Sequence, residues 1–109
     1  MKRFAAHRVY IALHDELRVM QVVELDDAGK VADIFPLLEE VRNTEWIGGV
    51  IIVASKKPEY SSGESFVDFC HHLHHLEIQA ASKVFFAYHI TQFDVAGMKF
   101  TPASQIKSL

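Results

Sequence analysis

The stretch Val19-Met20-Gln21-Val22-Val23-Glu24-Leu25-Asp26-Asp27-Ala28-Gly29-Lys30-Val31-Ala32-Asp33-Ile34-Phe35 decides the fold class. Two runs rich in β-branched and aromatic residues flank an acidic pair and a glycine, which suits a pleated, half-buried surface on either side of a turn. Acidic residues open short turns, and Gly29 is free to take the left-handed backbone that a tight hairpin needs. The spacing therefore predicts a β-hairpin. The same turn accounts for Asp26 and Asp27 better than a pair of catalytic carboxylates would. Pro36 ends the second arm, because it has no N–H to give to a ladder.

Working outward, Arg8-Val9-Tyr10-Ile11-Ala12-Leu13 alternates with a period of two and predicts a strand before the hairpin. Residues 37–45 read either as one helical turn over 37–42 or as an irregular connection. Trp46 to Val53 is apolar almost throughout, as in a strand covered on both faces, and Gly48-Gly49 inside it predicts a bulge or sharp bend. Ser61 and Glu64 have the spacing of a capping box. Phe66, Phe69, Cys70, Leu73, Leu76 and Ala80 follow at helical intervals, so a helix is predicted over about 63–79. A strand over 83–93, a turn at 94–97 and a return segment over 98–101 complete the pattern. The expected fold is α+β, a curved antiparallel sheet or small partly open β-barrel or sandwich with one amphipathic helix. Residues 1–101 form the domain, and 102–109 are expected to fray.

The chain has 109 residues, half of them apolar, enough for one ordinary core. Its 14 acidic and 11 basic residues are well mixed and give a net charge of −3, which argues against nucleic acid as a partner. A lone cysteine, Cys70, permits no internal disulfide and suits a reducing compartment. The longest apolar run, Trp46 to Ala54, is too short to span a bilayer. A cytoplasmic location without membrane association is expected. There is no glycine-rich phosphate loop, no Gly-x-Ser-x-Gly elbow and no Cys-x-x-Cys pair. These absences argue against an enzyme.

Asp68-Phe69-Cys70-His71-His72-Leu73-His74-His75 is the unusual segment. On a helix His71 and His75 stand four apart on one side, and Asp68 lies one turn away. Such a nitrogen pair with an added oxygen suits a divalent transition metal. A metal would need further ligands, with His7, His14 and His89 as candidates. The competing reading is a solvated helix back, and the His-Glu-x-x-His order of a zinc hydrolase is missing. Cys70 falls on the apolar face, where a thiol packs rather than reacts. Trp46 reads as core. Tyr10, Tyr88 and His89 could converge on a polar pocket across neighbouring strands. Val84-Phe85-Phe86 must be either buried or part of a subunit interface.

Residues 17–51, through Leu17–Ile34 and Trp46-Ile47-Gly48-Gly49-Val50-Ile51, resemble the N-terminal accessory β-domain of amidohydrolase-superfamily proteins. That family runs from apolar strand through acidic turn, glycine and basic residue to a second apolar strand. A later glycine-containing apolar segment leads into its catalytic barrel. The resemblance implies an accessory β-scaffold alone. Ile52-Val53-Ala54-Ser55-Lys56-Lys57 stands where the family carries its His-x-His metal pair, and a barrel of about 250 residues does not fit in this chain. No functional residue carries over. The expected function is a non-catalytic domain acting through homo-oligomerisation or association with another protein. Alternatives are a small metal-binding protein or metal-dependent enzyme using His71, His75 and Asp68, and an Sm-like small-barrel nucleic-acid binder.

Overall fold

The structure is a computed structural model that describes residues 1–38, 42–93 and 97–109. Its elements are β1 (Lys2–Ile11), β2 (Glu16–Leu25), β3 (Val31–Pro36), β4 (Thr44–Trp46), β5 (Val50–Ala54), α1 (Phe66–Ala80), β6 (Phe86–Thr91) and β7 (Gln105–Ser108), with a 3-10 turn at Ala12–His14. Among the described residues one seven-stranded sheet runs in the order β3-β2-β1-β5-β6-β7, with β4 also paired to β1. The α+β class and the curved, open sheet agree with the sequence pattern. The sheet is mixed, however, not antiparallel throughout. After the β2–β3 hairpin the chain returns to the far side of β1, so β4 and β5 run parallel to it.

The hairpin forms as the turn chemistry requires. Asp26 Oδ1 accepts the Ala28 and Lys30 N–H groups, each at 2.9 Å, and Gly29 takes φ 82°. Residues Glu39–Val41 and Asp94–Ala96, which carry the short helical turn and part of the turn read from the sequence, lie outside the described residues.

The expected single strand from Trp46 to Val53 is broken in two. Ala5 pairs with Trp46 but Arg8 pairs with Val50, so the β4–β5 side carries one extra residue. Gly48 and Gly49 absorb it with φ 64° and 61°, a left-handed backbone costly for residues bearing a Cβ. Met20, in β2 beside the same row, also has φ 53°. In β1 the residues facing the core opposite the helix change from even to odd across this row: Phe4 and Ala6, then Val9 and Ile11. The row is therefore a bend line across three neighbouring strands.

The bend curls the sheet until the hairpin end meets the start of β6. Val31 N–H donates to the Phe85 carbonyl at 2.8 Å, and Lys30 bridges Phe86. One core is enclosed by this curl: Ala6, Val9, Val23, Leu25, Ile51, Val53 and Ala87. The other lies under α1 and joins Tyr10, Ile52, Phe66, Phe69, Leu73, Ile90 and Phe100. Ile51 and Ile52, consecutive residues of β5 that point to opposite faces, each fill one of them, which explains why β5 is apolar at every position.

Two expectations about the C-terminal part are corrected. Residues 98–101 do not pair back onto the preceding strand. Phe66 N–H donates to the Met98 carbonyl at 2.8 Å and Phe100 N–H to the Glu64 carbonyl at 2.9 Å, pinning the helix start. Phe100 is fully buried and stacks on Tyr60 at 4.5 Å. The end of the chain does not fray either. Gln105–Ser108 pairs with β6, Ile106 is buried opposite Ile90, and the Tyr60 hydroxyl donates to the Ser104 carbonyl. Ile106 between polar neighbours is a faint signal, yet it is enough when a ladder is available. Removal of residues 105–109 should lower the melting temperature by about 10 °C, since it exposes Ile90 and strips β6 of its outer ladder. An unchanged melting temperature would return the tail to a frayed state.

Candidate functional site

Helix α1 starts later than the capping box implies. Its N-cap is Ser65, whose Oγ accepts the Asp68 N–H at 3.1 Å, while Glu64 only reaches back to the Ser61 N–H at 3.2 Å. The histidines that follow separate into different surroundings. His71 and His75 meet edge to face with ring centroids 4.6 Å apart, as their spacing predicts. His74 turns inward instead: its Nδ1 lies 2.7 Å from the Ala12 carbonyl oxygen. A carbonyl only accepts, so that nitrogen carries the proton, and the bond fastens the helix to the 3-10 turn. Asp68 is exposed at the helix start. Among the described residues no group of three or more His, Cys, Asp or Glu side chains stands together to hold a metal. His71 and His75 are thus brought together without Asp68. His7 and His89 sit at the bend line instead, and His14 lies in the 3-10 turn.

Cys70 is buried on the inner face of α1, and burial pushes its thiol up to about 12, with the Asp15 charge adding to the rise. The Tyr10 hydroxyl lies 2.7 Å from Asp15 Oδ1 and 3.0 Å from the Cys70 carbonyl. Burial foremost, then the Asp15 bond, raises its pKa well above the ordinary range. Tyr10 and Tyr88 both belong to the core under α1, whereas His89 points to the other face of β6, so the three do not converge. Trp46 is not core either: it is 48 % exposed and packs edge-on against His7 at 4.7 Å.

A residue that the periodicity hides stands out on the inner side of α1. Glu77 is only 3 % exposed, while its neighbour Leu76, counted with the apolar face, is half exposed. Four residues after Leu73, Glu77 occupies the position where the apolar stripe should continue. Its Oε1 accepts both the backbone N–H and the hydroxyl of Ser55, at 2.8 and 3.0 Å, which ties the helix to the segment after β5. Its Oε2 has no hydrogen-bond partner. Beside it opens a cleft of about 290 Å³ with Pro58, Phe69, Leu73, Leu76 and Ala80 among its walls and Lys56, Lys57, Glu59, Glu64 and His72 also lining it.

On the other side of α1, Leu17, Val67 and His71 edge a shallow hollow over Tyr10, Phe66 and Cys70. Val19, two residues beyond Leu17 on β2, is 64 % exposed, and Val67 is 75 % exposed. Here α1 leaves the β2 part of the sheet uncovered. Arg18 donates to Glu16 at 2.8 and 3.3 Å on the same strand, on the face of β2 opposite Leu17 and Val19.

At the bend line, His7 Nδ1 accepts the Gly49 N–H at 3.1 Å, and a Cβ on Gly49 would stand 3.4 Å from His89 Nε2. Burial holds His89 below the usual histidine range; Lys107 on β7 adds to this, and a hydrogen bond with the Gly48 backbone opposes it. Comparison with known proteins finds no matching family, no matching curated relative and no matching solved structure.

The sign of the His89 effect is fixed by linkage. A folded state that takes up the proton less readily loses stability as pH falls below the unfolded histidine value, near 6.5. Urea unfolding should therefore show stability declining from pH 7.5 to pH 5, with a shallower decline in His89→Gln. Parallel declines in the two proteins would contradict the assignment.

Proposed function

We propose that this chain acts through association, as a domain that pairs with a second copy of itself across the uncovered face of β2 and the adjoining start of α1. The observation that carries the reading is the exposed apolar group Leu17, Val19 and Val67. Large apolar side chains gathered in one place, rimmed by polar groups, mark interaction surfaces more often than scattered ones do. A second copy is the occupant such a patch fits, because a two-fold contact sets the same apolar surface against itself and each copy supplies the cover the other lacks.

The resemblance of residues 17–51 to amidohydrolase accessory β-domains belongs to the same proposal, since it supplies a scaffold and no catalytic residue. Sedimentation velocity across a range of concentrations tests it. The native chain should show concentration-dependent mass, and Val19→Lys and Val67→Glu should each weaken self-association at least tenfold while circular dichroism stays native. Both positions are exposed, so neither change disturbs a core. A strict monomer at every concentration, or variants that associate as the native chain does, would overturn the reading.

A further inference from the structure

We infer that the cleft beside Glu77 is a binding site for a small primary amine with an apolar body, whose ammonium group donates to Glu77 Oε2. The inference is independent of self-association, because it rests on the opposite flank of α1.

The arrangement at Glu77 is costly. A buried carboxylate oxygen without a donor carries a desolvation penalty that nothing within the fold offsets. Glu77 Oε1 is saturated by the two Ser55 donors, so its structural task of tying α1 to residue 55 is complete without Oε2. Ser, Gln or Thr could make a comparable tie without a charge. What an acidic side chain adds is an acceptor for a cation, at the edge of a cleft already lined by hydrocarbon.

The lining narrows the chemistry. Phe69, Leu73, Leu76 and Pro58 offer an apolar body its cover, and a single carboxylate among them supplies one charge-assisted hydrogen bond. An anionic ligand would face that carboxylate at close range. A metal ion would find too few ligands, since among the described residues no group of three or more His, Cys, Asp or Glu side chains stands together. Lys56 and Lys57 are balanced by Glu59 and Glu64 in the lining, so the cleft as a whole does not select strongly for either sign. Selection falls to Glu77. The volume, about 290 Å³, lies at the small end of ligand sites, near ~300 Å³, and suits a molecule the size of an arylalkylamine.

The test uses 2-phenylethylamine, with 2-phenylethanol as the neutral counterpart and 3-phenylpropionate as the anionic one, each titrated into the full chain and followed by amide chemical shifts. Glu77→Gln retains an acceptor for Ser55 and removes the charge. Leu76→Trp fills the cleft from its exposed side and leaves Glu77 in place. The amine should bind at least tenfold more tightly than the alcohol, with shifts concentrated at residues 55–59 and on α1. Glu77→Gln should abolish that preference, and Leu76→Trp should weaken both ligands.

Alcohol or carboxylate binding as tight as the amine would overturn the inference. So would a preference that survives in Glu77→Gln, or an absence of shifts in this region at millimolar amine. Should Glu77→Gln fail to fold, the amine-to-alcohol ratio in the native chain and the weakening in Leu76→Trp decide the matter. Loss of self-association in Val19→Lys should leave amine binding unchanged, which keeps the two readings separable.

Discussion

The left-handed glycine pair at Gly48 and Gly49 is the constraint on which the rest of the structure depends. It takes up the extra residue between β4 and β5, and the irregular backbone at Met20 accompanies it in β2. Without that bend, the side chains of β1 would keep one parity, and Phe4 and Ala6 could not share a core with Val9 and Ile11. With it, the sheet curls and the hairpin end meets the start of β6 through Val31 and Phe85. His7 and His89 flank the pair, one accepting from the Gly49 backbone and one bonded to the Gly48 backbone. The bend is thus braced from both neighbouring strands.

Curling leaves the opposite face of the sheet for α1 to cover, and its 15 residues cover β1, β5 and β6 but not β2. Both proposed surfaces follow from that shortfall. On one flank Leu17 and Val19 are left beside Val67; on the other the segment after β5 stands away from α1 and a cleft remains. Glu77 and His74 act as ties at the two sides, to Ser55 and to the Ala12 carbonyl. Each uses a polar group where an apolar helix face would ordinarily continue.

How much of this was legible in the sequence depends on whether the signal was local. The hairpin, the glycine bend and the helix were readable because turn chemistry and a 3.6-residue period act within a few residues. The mixed sheet was not, because nothing near residues 44–54 says on which side of β1 they will pair. The β7 strand was missed because its one apolar residue, Ile106, acquires meaning only opposite Ile90. The His71–His75 contact was visible from spacing alone. Glu77 was hidden because its sequence neighbour Leu76 supplied the expected apolar residue, and only the helix's rotation against the sheet distinguishes them. The signal was present in the i, i+4 relation of Leu73 to Glu77. Trp46 was read inward by its apolar neighbours and lies outward because the bend begins beside it.

The most direct test of the central claim is native-state hydrogen exchange at the Val31 amide. In a curled sheet this N–H is bonded to the Phe85 carbonyl and should exchange only through global unfolding, at the rate of the amides of β1 and β5. Exchange at the rate of an unstructured peptide, with β1 and β5 still protected, would mean that the hairpin stands free and that the glycine pair does not curl the sheet onto β6.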